Sequence, residues 1–227
     1  MEIMTDQESD ARFGVLRVPS SRGLTDFPIG IDKPIFVLGR NGVGKSALVQ
    51  WMYSQLPEPS RYIPGSRENQ FEHDHLSMTP AQLTDTIRTT GSQDRIPTSR
   101  FRPWRGAKRN ERSAFQIQTV EMQYKLDAVD EIKRDGTASP AIQRLQENAS
   151  PLDRLNALME QGNLEVRFVI AGGELKAKRG EAVFSLARMS DGERSALYMT
   201  SEVLVADANT VFIVDEPELH LHPAIVV

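Results

Sequence analysis

The apolar positions along this chain change period twice. Phe13 to Val18 and Leu24 to Ile31 read as two strands joined by the turn-rich Pro19-Ser20-Ser21-Arg22-Gly23. Ile35 to Leu38 is a short continuous apolar run, which predicts a buried parallel strand. A helix covering Ala47 to Met52 should end near Gln55, ahead of Pro57 and Pro59, and Arg61-Tyr62-Ile63 predicts a brief strand stopped by Pro64 and Gly65.

Between about Glu72 and Asn163 the β-branched runs thin out and helical spacing takes over. Asn110 to Arg134 is the longest helix candidate, with Phe115, Met122, Leu126 and Val129 on one stripe and Gly136 closing it. A second helix opens at Ser150-Pro151-Leu152-Asp153, where Ser150 can cap, Pro151 takes the first helical position and Asp153 favours the first turn. Its expected buried side is Leu152, Leu155, Leu158 and Met159. From Leu164 the β pattern returns: Leu164 to Phe168 alternates, Gly172-Gly173 can turn, and Glu174 to Lys178 can pair back. The expected organisation is a head split in sequence, residues 1–72 and 164–227, with a helical insertion over 73–163.

Composition narrows the class. The chain has 227 residues, 39% hydrophobic and 26% charged, which excludes wholesale disorder and leaves room for a substantial core. A formal charge of -4 gives no global attraction to nucleic acid or anionic lipid, so any such contact must be local. Cysteine is absent, which removes disulfides, thiolate metal sites and cysteine nucleophiles and is compatible with a reducing cytosol. No apolar run approaches membrane-spanning length, and an N-terminus carrying Glu2, Asp6, Glu8 and Asp10 lacks the features of a signal peptide. The expectation is a cytoplasmic protein without membrane contact.

The candidate chemistry lies in three stretches. Gly39-Arg40-Asn41-Gly42-Val43-Gly44-Lys45-Ser46 satisfies G-x-x-x-x-G-K-[ST] between a strand candidate and a helix candidate. A triphosphate needs many donors at close range. Glycines let backbone N–H groups approach it, the helix N-terminus adds its dipole, Lys45 would reach the β- and γ-phosphates, and Ser46 would ligate Mg²⁺. Thr210 to Val214 is an apolar strand ending in Asp215 and Glu216. Asp215 is placed to hold Mg²⁺, and Glu216 to orient and deprotonate an attacking water. In the third stretch, Ser190-Asp191-Gly192-Glu193-Arg194, the expectation from local residues alone is a well-started helix over Ser195 to Val205, with Ser190 as N-cap and Glu193 completing a capping box.

Two further clusters carry weaker signals. Arg95, Arg100, Arg102, Arg105, Lys108, Arg109 and Arg112 surround Phe101 and Trp104, a mixture that suits a nucleic-acid backbone or an acidic partner and equally a solvated face. His73 and His75, like His220 and His222, are spaced pairs without a second ligand cluster, a pattern commoner on surfaces than at metal centres.

Taken together and in order, GRNGVGKS, MSDGERSAL and TVFIVDEPELHLHP resemble the ABC-type ATPase heads of the SMC, RecF and OLD proteins, over about residues 13–72 and 164–227. The resemblance implies an α/β P-loop NTPase fold with a mixed β-sheet and a helical insertion. It implies ATP and Mg²⁺ as ligands, a signature loop containing Ser190 and Gly192, a Q-loop residue at Gln70, and two heads closing face to face as at least a homodimer. Departures are Asp191 and Glu193, where that signature usually has glycine and glutamine. The family's next strand and switch histidine also have no counterpart before Val227, so the C-terminal part of the head is expected to be missing. RYIPGSREN, SPLDRLNALMEQGNLEV, MSDGERSALYMTSEVL and DEPELHLHP are similar to ATPase subunits of bacterial anti-phage systems such as PARIS, which implies a TOPRIM-type nuclease effector as partner. Two rival readings are a RecF-like DNA repair ATPase using the Arg95 to Arg112 region, and a non-hydrolysing ATP-gated scaffold.

Overall fold

The computed structural model describes residues 12–20, 23–30, 34–64, 70–96, 98, 106–135 and 139–217. The chain runs β1 (Arg12–Ser20), β2 (Gly23–Gly30), α1 (Lys45–Gln55), β3 (Ser60–Ile63), α2 (Pro80–Asp94), α3 (Gly106–Asp135), α4 (Ser139–Glu147), α5 (Pro151–Gln161), β4 (Arg167–Ala171), β5 (Glu174–Arg179), β6 (Ala182–Phe184), a 3-10 turn (Leu186–Arg188), α6 (Asp191–Leu204) and β7 (Val211–Val214). This mixed α/β arrangement is the class that the phosphate-loop motif predicts.

β1 and β2 form an antiparallel hairpin, longer than the sequence pattern suggests, with Leu16 opposite Phe27. A lone two-stranded ribbon is marginal in water. Here it is anchored: Leu16 and Ile29 pack onto Val49, Met52, Tyr53 and Leu56, while the Trp51 indole donates to the Arg17 carbonyl at 2.9 Å. The Gln55 amide locks the same residue, donating to the Arg17 carbonyl at 3.0 Å and accepting from its N–H at 3.2 Å.

The run Ile35 to Leu38 departs from expectation. It is neither paired into a sheet nor buried among the described residues; Phe36 is 77% and Leu38 88% exposed. Among the described residues β7 bonds to β3 alone, in parallel, with Tyr62 beside Ile213 and Ile63 beside Val214. An apolar run becomes a buried strand only when a neighbouring edge takes up its backbone groups, and the described residues supply this run with none.

The second apolar cluster joins α3, α5, β4, β5 and α6 through Ile117, Leu155, Met159, Val166, Phe168, Leu175 and Leu197. α5 starts as its sequence dictates, with a Ser150/Asp153 capping box and Pro151 in the first turn, but Leu158 faces outward at 41% exposure while Leu152, Leu155 and Met159 are buried. The predicted stripe on α3 is also corrected: Phe115 and Met122 are only half-buried, and Leu126 and Val129 are exposed. The inward face is Asn110, Ala114, Ile117, Glu121 and Ala128, small or polar residues in which a hydrophobic count finds little to register. Gly136 lies outside the described residues. β4 and β5 form the expected hairpin across Gly172-Gly173, and β6 extends it as a third strand.

A buried ionic layer lies between the two clusters. Asp94 pairs with Arg109; Glu202 accepts from Arg112, Ser113 and, at 3.0 Å, Arg61. Burial alone would raise the Glu202 carboxyl, but Arg112 and Arg61, with the hydrogen bonds from Ser113 and Arg112, hold it below its ordinary value. The Tyr198 hydroxyl in the same layer is pushed up to about 12, chiefly by burial. Arg95 adds a link to α1, donating to the Leu56 carbonyl at 2.8 Å and to Ser60 Oγ at 2.9 Å. Arg109 and Arg112 are therefore internal structural cations, and Arg95, half-buried, is held by structural contacts as well. Arg100, Phe101, Arg102, Trp104 and Arg105 lie outside the described residues.

Candidate nucleotide site

The turn before α1 is shaped by its glycines. Gly42 and Gly44 sit at φ +82° and +93°, where side chains are strained, and a Cβ on Gly39 would stand 3.0 Å from Val43 Cγ2. α1 opens on Gly44 with no side-chain cap and no acid in its first turn. Its leading N–H groups and the positive end of its dipole are left facing the loop, an arrangement suited to an anion. The other helices with described caps, α2, α5 and α6, each begin with a capping box. Lys45 spans the turn, its Nζ donating to the carbonyls of Gly39 at 2.9 Å and Arg40 at 3.2 Å. The Val43 N–H closes on the Arg40 carbonyl at 3.4 Å.

β7 brings its carboxylates to this turn. Asp215 is buried, its N–H bonded to the Ile63 carbonyl at 2.9 Å, and its Oδ1 accepts from Ser46 Oγ at 3.1 Å across 169 residues of sequence. Its Oδ2 accepts from the Tyr62 hydroxyl at 3.1 Å. Burial first, and then the Asp215 charge, raise the pKa of that hydroxyl well above the ordinary tyrosine value, so it stays a donor. Glu216 follows in the left-handed region at φ +49°, a strained conformation for a non-glycine residue that turns it off the strand. Among the described residues it has no hydrogen bond or ion pair.

A cavity of about 770 Å³ opens at this junction: Gly39, Asn41, Lys45, Asp215 and Glu216 line one part of it, and apolar residues of the 34–38 segment, α1, β7 and the β1–β2 hairpin line much of the remainder. The volume lies within the range of small-molecule and cofactor pockets. Asp215 lines it, and Ser46, bonded to Asp215, supplies a second hard oxygen donor beside it. Among the described residues no group of three or more His, Asp or Glu could cage a metal by itself. The donor set therefore fits Mg²⁺ in its usual role, bound by one or two protein oxygens together with phosphate, rather than a protein-only metal centre. His73 and His75 stack on each other with centroids 5.7 Å apart and belong to no such cluster. His220 and His222 lie outside the described residues.

A family model described as "AAA domain, putative AbiEii toxin, Type IV TA system" matches residues 53–227. The chain belongs to this family. Membership places it in the P-loop ATPase superfamily, in agreement with the phosphate turn that precedes the matched span. Comparisons with curated proteins and with solved structures returned no match. No described helix is long and apolar enough to cross a membrane.

The remaining sequence candidates are placed apart from the cavity. Gln70 is exposed, and its carbonyl accepts from the Asn110 amide at 3.4 Å; it does not line the cavity. Ser190 caps α6: its Oγ accepts from the Glu193 N–H at 3.3 Å and donates to Glu193 Oε2 at 2.9 Å. Each acid of this loop has its own arginine, Glu193 with Arg179 and Asp191 with Arg194. Burial pulls the Glu193 carboxyl upward, but hydrogen bonds from the Ser190 backbone, Arg179 and the Ser190 hydroxyl outweigh it and hold the group below its usual value. A Cβ on Gly192 would meet nothing within 4 Å, so that face of the loop is open. Sequence reasoning missed Tyr62 and Arg61. The signal available was an arginine and a tyrosine occupying adjacent positions of a short strand, and hence its opposite faces.

Proposed function

We propose that this P-loop ATPase is an ABC-type head that binds ATP with Mg²⁺ at the junction of the glycine turn and β7, hydrolyses it, and uses head closure to control a partner. One observation carries the reading: Ser46 and Asp215, far apart in sequence, meet at 3.1 Å beside Lys45 and an acid-edged cavity. The turn's N–H groups and Lys45 hold the triphosphate. Ser46 and Asp215 are the residues that would hold Mg²⁺, which when bound neutralises phosphate charge. Glu216, at the cavity edge and without another partner among the described residues, orients the attacking water and takes its proton.

Ser190 and Gly192 lie apart from this cavity, so in the proposal they act on the nucleotide of a second copy. Two heads then enclose ATP and catalysis depends on assembly. Domain boundaries near 72 and 163 belong to the same proposal, with the helices between them transmitting closure. A TOPRIM-type nuclease is the proposed effector, a reading that rests on the likeness of these motifs to anti-phage ATPases. With Arg95, Arg109 and Arg112 held in internal contacts, the DNA-binding alternative rests on the remainder of the basic cluster.

Phosphate release from ATP by the full chain tests the first claim. Lys45→Ala should lose nucleotide binding, whereas Glu216→Gln should keep binding and lose roughly 10²- to 10⁴-fold in turnover. Turnover unaffected by Glu216→Gln would remove that residue as the base, whereas wild-type protein that binds ATP and releases no phosphate would leave the scaffold reading. Light scattering with ATP on Glu216→Gln should show a dimer that Ser190→Arg abolishes.

A further inference from the structure

We infer that Tyr62 is a positioning residue for Asp215, fixing which carboxylate oxygen is offered to a divalent cation; the inference rests on the nucleotide reading of this site. The two oxygens of Asp215 have different partners. Oδ1 meets Ser46 at 3.1 Å on the phosphate-turn side, and Oδ2 meets the Tyr62 hydroxyl at 3.1 Å on the buried side. A carboxylate held by one hydrogen bond can rotate about its last torsion and exchange its oxygens; held at both, it cannot. With Oδ2 occupied, Oδ1 is left beside Ser46 as the second hard donor of the pair.

Tyr62 is itself well fixed. It pairs in register with Ile213, two residues before Asp215, and its backbone is part of the β3–β7 ladder. Its ring packs against Tyr53 with centroids 5.4 Å apart and an interplanar angle of 34°. Arg61 on one side holds Glu202, and Ile63 on the other is fully buried and accepts from the Asp215 N–H. The hydroxyl can therefore be removed without removing the ring or the ladder.

Tyr62→Phe in the full chain, titrated by calorimetry with Mn²⁺ in the presence of a non-hydrolysable ATP analogue, is the test. Partners that orient a metal-binding side chain are commonly worth about 10- to 100-fold in metal affinity. We expect Mn²⁺ affinity to fall by at least tenfold, with metal-free analogue binding unchanged. On an Asp215→Asn background the same change should have no further effect, since Tyr62 acts through that carboxylate. Tyr53→Phe, which loses a hydroxyl directed at the Ser60 carbonyl, is the packing control and should leave Mn²⁺ binding intact. Mn²⁺ affinity within twofold of wild type for Tyr62→Phe, or an equal loss in Tyr53→Phe, overturns the inference while leaving the site reading standing. Wild-type protein that shows no analogue binding at all overturns both.

Discussion

Glu202→Gln is the substitution that interrogates the ionic layer most directly. Glu202 is 2% exposed; its Oε1 accepts from Arg112 and Ser113, and its Oε2 from Arg61. An amide keeps the volume but deletes the charge and turns one acceptor into a donor aimed at a cation. Arg112, itself 8% exposed, is then left without its counter-charge in the interior. Removing one partner of a buried pair costs about 3–5 kcal/mol, because the remaining ion is desolvated without compensation. At about 2–4 °C per kcal/mol for a chain of this size, the midpoint should fall by roughly 6–20 °C, provided unfolding is two-state. Thermal and urea unfolding followed by far-UV circular dichroism read this out. A loss below about 1 kcal/mol would refute the argument, since it would mean that water or another acid already serves Arg112. The pH dependence gives a second check. The folded carboxyl lies below its unfolded value, so its contribution is complete above the unfolded pKa of about 4.3 and is lost as pH falls through the folded value. The wild-type and Gln curves should therefore converge in acid.

Three other substitutions have defined expected outcomes. Leu155→Ala, at a fully buried position of α5, should cost about 2–5 kcal/mol, whereas Leu158→Ala on the same helix should stay within about 0.5 kcal/mol, as measured by urea midpoints. Gly44→Ala places a Cβ at φ +93°, which costs on the order of 1–2 kcal/mol locally, and should weaken ATP binding in a calorimetric titration; Gly192→Ala, with open space around it, should leave intrinsic nucleotide affinity unchanged. Arg179→Ala removes one of the hydrogen bonds that depress the Glu193 carboxyl, so its folded value should move toward the unfolded one. Stability should then drop at pH 7 and the difference should vanish in acid, as melts at the two pH values would show.

Local chemistry was the most legible part of this molecule. The turn at 39–46, the acids at 215 and 216 and the caps at Ser150 and Ser190 can be read from spacing because each is defined by residues close together in sequence. Boundaries of α1, β3 and β7 followed for the same reason. What could not be read is set by distant neighbours. The 34–38 run has the composition of a core strand, yet pairing depends on an edge that the run does not encode. The inward face of α3 was hidden because Asn110 and Glu121 are buried by satisfied polar contacts, Asn110 to the Gln70 carbonyl and Glu121 to the Leu152 N–H at 3.0 Å. Arg95, Arg109 and Arg112 looked like a surface patch until their acids, Glu58, Asp94 and Glu202, were brought to them by the fold. Tyr62 acquires meaning only from a strand about 150 positions later.

The four residues of β3 reach two different parts of the molecule. Arg61 reaches the carboxylate of α6 and Tyr62 the carboxylate of β7, from adjacent positions of one strand. A slip of a single position would put Arg61 or Ile63 where Tyr62 meets Asp215, and Ser60 or Tyr62 where Arg61 meets Glu202. Such an error would remove both contacts at once. The short strand therefore couples two distant placements: the seat of α6 and the position of the β7 carboxylate depend on one and the same register.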